Sequence, residues 1–162
     1  MKIKFKDRPE FRPDLTPKEM LESGVFGGTY YRDIYSRVTN REYKNSWKEF
    51  PKKWFENINV KKYVTSDVCD KSINKYKVKS GSSLEFWEDR GWIKPIDPYG
   101  WFQWYCRFYL GRRSEDDTRQ IKRWSGVAGE NGRFRLWLKK IEKNKKDSPK
   151  IRQLLLQWGV EI

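Results

Sequence analysis

The chain has no histidine and only two cysteines, and these shortages remove most of the familiar routes to catalysis. Without an imidazole there is no Ser-His-Asp or Cys-His pair. Cys69 and Cys106 do not form a CxxC pair, so no metal and no cofactor are expected. Two cysteines are also too few for a disulfide scaffold, and the expected setting is intracellular and reducing, whether cytosol, nucleus, organelle or a packaged particle. Long apolar runs are missing too. No stretch approaches the ~20 residues of a membrane span. The opening Met1-Lys-Ile-Lys-Phe-Lys-Asp-Arg-Pro alternates charge with apolar groups, unlike a signal peptide. No membrane partner is expected.

What is present is aromatic and cationic. Hydrophobic residues make up 36% of the 162, yet aromatics alone are 17%, with nine each of Trp, Tyr and Phe. Each ring buries roughly 150–250 Å², so a ring-built core is compatible with a mean hydropathy of −1.01. The length fits one domain, expected over 13–162 behind an N-terminal extension at 1–12. Thirty-six Lys and Arg against 22 Asp and Glu give a net +14, a charge that barely changes around neutral pH when no histidine titrates. Such a field attracts polyanions, and it serves plain solubility equally well.

Helix starts are written where a capping residue precedes proline: Thr16-Pro17, Asp97-Pro98 and Ser148-Pro149. Thr16 to Glu19, Ser46 to Glu49, Ser82 to Glu85 and, with a shorter arm, Ser114 to Asp117 follow the capping-box spacing. Helices are predicted near 17–23, 47–57, 83–90, 98–111, 115–125, 133–143 and 149–158. Gly24, Gly91, Gly111 and Gly159 stand where a left-handed residue closes four of them. A loop or short hairpin falls within 25–45, and Tyr63-Val64-Thr65 and Tyr76-Lys-Val-Lys79 have the composition of short strands. The predicted class is mainly α: one compact domain of six or seven helices around an aromatic-rich central helix at 98–111.

That central helix carries Gln103 and Arg107 one turn apart among Trp101, Trp104, Tyr105 and Phe108. A guanidinium there needs a carboxylate, for which Glu85, Glu88, Asp89 or Asp117 are candidates with Gln103 completing the network, or else a phosphate or base edge. Arg112 and Arg113 follow, and Arg119, Lys122 and Arg123 make a basic stripe beside Trp124 on the next helix. Gly126, Gly129 and Gly132 then lead to a helix start flanked by Arg133 and Arg135. This arrangement suits phosphate contact, and equally a tight helix–helix turn. The spacing matches neither the P-loop nor the dinucleotide motif. The candidate nucleic-acid contacts are therefore Arg107, Arg112, Arg113, Arg119, Lys122, Arg123, Trp124, Arg133 and Arg135, with exposed rings stacking on bases.

Carboxylates are the only catalytic chemistry left open. Asp33, Glu88, Asp89 and Asp116 or Asp117 are weak acid or base candidates, as in an enzyme that draws a nucleobase into an aromatic pocket. Asp97 is explained by its capping position, and Cys106 reads as core rather than nucleophile. The segments 91–113 (GWIKPIDPYGWFQWYCRFYLGRR) and 117–124 (DTRQIKRW), with the opening at 15–28 (LTPKEMLESGVFGG), resemble an uncharacterised family of small basic Trp-rich proteins. The resemblance spans 13–158 and implies no activity, cofactor or site residue. The leading expectation is a non-enzymatic nucleic-acid-binding protein, for DNA or RNA; the alternatives are an enzyme acting on a nucleic-acid base and a basic assembly protein docking on an acidic protein partner.

Overall fold

The computed structural model describes residues 3–162. Helix α1, Pro17–Glu22, begins as its capping box dictates: the Glu19 amide donates to Thr16 Oγ1 (3.1 Å) and the Thr16 amide to Glu19 Oε1 (2.9 Å). Two short antiparallel strands follow, β1 Ile34–Ser36 and β2 Arg41–Tyr43, with Ile34 opposite Tyr43. The helix expected over 47–57 is broken into two 3-10 turns, Ser46–Glu49 and Lys52–Trp54. Pro51 is the cause. It brings no amide, and it pushes the preceding Phe50 into extended backbone (φ −96°, ψ 162°).

Neither strand expected between 60 and 79 forms. The Asn59 side chain caps the Lys62 amide and opens a one-turn helix, α2, over Val60–Tyr63, and Lys77 at φ +57° breaks the second run. Helix α3, Leu84–Asp89, is capped by Ser83, one residue beyond the predicted Ser82. Helix α4, Trp101–Tyr109, starts later than Asp97-Pro98 implied, after Gly100 at φ +103°. The chain then runs through α5 (Asp117–Ala128), α6 (Arg133–Lys143) and α7 (Pro149–Leu156), the last capped by Ser148 on the Ile151 amide.

Seven of the nine α4 residues are buried, and rings close around them. Phe11 is fully buried among Trp101, Trp104, Tyr105, Phe108 and Trp124, at centroid distances of 5.1 to 6.2 Å. Each such contact adds about 0.5–1.5 kcal/mol beyond area burial. Two residues of the stretch read as an N-terminal extension thus join the core, Phe11 within it and Phe5 stacked on Phe11 and edge-on to Phe108. Helix α6 packs against α5 and α7 but buries only Leu138, so it lies on the surface. Helices carry most of the regular structure, and among the described residues none is long and apolar enough to cross a membrane.

Candidate nucleic-acid interface

Four of the candidate arginines are paired with carboxylates of the chain itself. Arg107 donates through Nε and Nη2 to both Glu49 oxygens (2.7 and 2.6 Å) and through Nη1 to Asp97 Oδ1 (2.9 Å) and the Ile96 carbonyl. Arg112 forks onto Asp97 with two bonds of 2.7 Å. Asp97 is 1% exposed. It is therefore the shared counterion of two guanidiniums rather than a helix cap, and the partners expected for Arg107 are replaced by Glu49 and Asp97. Gln103 takes no part in this network; its Oε1 accepts the Tyr99 amide.

Arg113 pairs with Asp7 (2.6 and 3.1 Å) and lies 3.7 Å over the Phe108 ring. Arg119 forks onto Asp116 (2.6 and 2.8 Å). Trp124, expected to offer a stacking face, is 3% exposed, and its indole N–H donates to the Trp158 carbonyl. It belongs to the core.

The remaining candidates behave differently. Arg123 has no carboxylate: Nη1 donates to Gln120 Oε1 (2.7 Å) and, at 3.4 Å, to the Trp92 carbonyl, while Nε and Nη2 find no acceptor among the described residues. Its guanidinium faces the rings of Trp92 and Trp158 at 5.7 and 5.6 Å. Burial, and then the like charge of Arg119, lower its pKa to about 10, which is the mark of a cation short of a counterion.

Arg123 stands in the wall of a cavity of about 450 Å³, within the roughly 300–1,000 Å³ usual for small-ligand sites. Trp87, Trp92, Trp101, Phe134 and Trp158 supply aromatic walls, and Lys122 and Arg133 join Arg123 as its cations. No carboxylate is among its lining residues. Trp101, 6% exposed, has an indole N–H that is buried without an acceptor.

The three glycines between α5 and α6 divide in the same way. A Cβ on Gly129 would lie 2.7 Å from the Ser125 carbonyl oxygen, and one on Gly132 would lie 2.6 Å from Val127 backbone. These two serve a tight helix connection, not ligand approach. Gly126 lines the cavity and a Cβ there would meet nothing within 4 Å.

From the cavity the surface continues along α6. Arg133 lies 5.1 Å over Phe134, and Phe134 stacks on Trp137 (6.0 Å, 30°), which is 54% exposed. Arg135 is held by Nε to the Ala128 carbonyl and has no carboxylate. Lys139, Lys140, Lys143, Lys145, Lys146 and Lys150 are exposed, and the salt bridges among the described residues include none of them. The two acids of this stretch, Glu142 and Asp147, are both taken by Arg152. Sequence reasoning missed Trp137. The i, i+3 spacing of Phe134 and Trp137 was the available signal, and it does not say which face is exposed.

The candidate catalytic carboxylates are not gathered anywhere. Asp33 is exposed and accepts the Asn45 amide; Glu88 and Asp89 both hold Arg37. Asp117, 2% exposed, accepts the Trp104 indole N–H (2.8 Å) and the Ser114 amide and hydroxyl. Cys106 is buried among rings with its thiol pushed up by desolvation, the opposite of an activated nucleophile. No group of three metal-ligating side chains occurs among the described residues. Comparison with family models, curated proteins and solved structures finds no match to the chain.

Proposed function

We propose that the protein binds single-stranded nucleic acid without catalysing a reaction on it, through phosphate contacts and ring stacking along α6. One observation carries this reading: residues 133–150 hold eight cationic side chains without a carboxylate partner among the described residues, beside exposed Trp137 and the half-buried Phe134 stacked on it. Cations attract the phosphate backbone whatever its sequence, and exposed rings stack on bases, each stack contributing about 1–3 kcal/mol. The internally paired Arg107, Arg112, Arg113 and Arg119 leave this reading; Arg133, Arg135 and the α6 lysines carry it.

The test is a fluorescence-anisotropy titration of labelled single- and double-stranded DNA and RNA over a range of salt. Single strands should bind with log K falling linearly against log salt, by about 0.7 for each phosphate contacted. Equal affinity at low and high salt, or no binding at low salt, overturns the proposal.

A further inference from the structure

We infer that the cavity between α5, α6 and α7 is a subsite for one unstacked nucleotide, its base held between indole rings and its phosphate at Arg123, Lys122 and Arg133. This rests on the reading above and specifies where a strand laid along α6 would deliver its end. Phe134 is the link, because it stacks on exposed Trp137 on one side and lines the cavity on the other.

Three observations independent of net charge point to a ligand of this chemistry. The first is Arg123, whose Nε and Nη2 lack acceptors while Nη1 is fixed by Gln120. Those two nitrogens are not fully buried, so they are open to a ligand; a partly buried guanidinium is stabilised by an anion, and its planar fork suits a phosphate. The second is the Trp101 indole N–H, buried without an acceptor in a residue of the cavity wall. Leaving such a donor unpaired costs about 1–3 kcal/mol, and a small rotation of the indole, whose N–H is covered as it stands, would offer it to a base carbonyl or ring nitrogen.

The third is Gly126. It lies within α5, where glycine is less favourable than alanine by about 1 kcal/mol, yet no neighbour forbids a side chain there. A residue that weakens its helix without a packing reason keeps the cavity open. Indole walls fit a flat ring, and three cations with no carboxylate beside them fit one bearing negative charge. A metal ion or a cationic ligand would meet only like charge there.

Titration of the full chain with adenosine 5′-monophosphate, adenosine and inorganic phosphate, read by tryptophan fluorescence, tests the assignment. Trp87, Trp92 and Trp158 should report saturable binding of the monophosphate, with adenosine and phosphate each weaker by roughly tenfold or more, the size of one lost stack or one lost charged contact. Gly126→Trp, which fills the cavity, should abolish monophosphate binding while salt-dependent oligonucleotide binding along α6 persists, weakened only by the one nucleotide that the cavity takes. Should that variant fail to fold by circular dichroism, Lys122→Glu at the exposed rim serves instead and should weaken the monophosphate but not adenosine.

Absence of monophosphate binding, equal binding of inorganic phosphate alone, or undiminished binding in a folded variant each overturns the cavity assignment. A wild-type chain that takes the monophosphate but shows no oligonucleotide binding overturns the α6 reading instead, so the two failures are told apart.

Discussion

Arg112 and Arg123 belong to neighbouring elements of the same basic segment, and the fold treats them in opposite ways. Arg112 is locked to a buried aspartate by two short bonds, and Arg107, Arg113 and Arg119 each hold a carboxylate fork of their own. Arg123, Arg133 and Arg135 hold only carbonyl or amide oxygens or nothing. The difference lies in where the acids went. Glu49, Asp97, Asp7 and Asp116 converge on the first group, and no acidic residue lines the cavity beside the second. A formal charge of +14 therefore says little about which cations are available to a partner; the neighbours of each one decide.

The largest expected effect breaks the first group. Asp97→Ala leaves two partly buried guanidiniums sharing one lost counterion, and removing one member of a buried ionic network costs about 3–5 kcal/mol. Thermal melting should fall accordingly, while oligonucleotide affinity of the folded fraction stays the same; a lost affinity with an unchanged melting point would mean that Arg107 and Arg112 serve the ligand after all. A smaller effect is expected at Asp117→Ala, which orphans the Trp104 indole N–H and the Ser114 amide for about 1–3 kcal/mol. Urea unfolding would measure it, through a lower midpoint at unchanged slope.

Local chemistry was legible in the sequence, and distant pairing was not. Thr16 and Glu19 cap each other across one turn, and α6 begins and ends at the predicted residues, because such signals act within a few positions. Gly111, at φ +107°, closes α4 and lets the Arg112 amide reach back to the Arg107 carbonyl, as its place after the apolar run implied. Pro51 also acts locally, and a proline inside 47–57 is itself a signal for the break that the Ser46 to Glu49 spacing alone does not show.

Glu49 as the partner of Arg107 spans 58 positions, and no periodicity connects them. Asp97 was misassigned because a capping role and a counterion role ask for the same residue type before the same proline. The cavity was invisible for a similar reason. Its rings come from five segments, and tryptophan on an amphipathic stretch looks the same whether it seals a core or walls a hollow.

The second group is probed through binding rather than stability. Arg133→Gln with Lys140→Gln should weaken single-strand affinity by roughly tenfold and reduce the salt slope by about 1.4, two contacts at 0.7 each. Stability should stay within about 0.5 kcal/mol, as for exposed positions generally. Arg113→Gln is the control: it removes one positive charge where the double variant removes two, yet the slope should not move, because Asp7 already occupies that guanidinium. A slope change of about 0.7 in Arg113→Gln, the same per charge removed as in the double variant, would show that net charge alone attracts the strand, and the distinction between the two groups would collapse.

The smallest effect is a gain. Alanine at position 126 places a methyl group in open space on a helix that glycine weakens, so Gly126→Ala should stabilise the fold by roughly 0.5–1 kcal/mol. Alanine at 129 or 132 should destabilise, because backbone stands 2.6 to 2.7 Å from the added carbon. A series of thermal melts on the three single variants would show opposite signs within one short connection. If all three lose stability, Gly126 has a packing role, and the open cavity is then a by-product of the α5–α6 turn rather than something the glycine preserves.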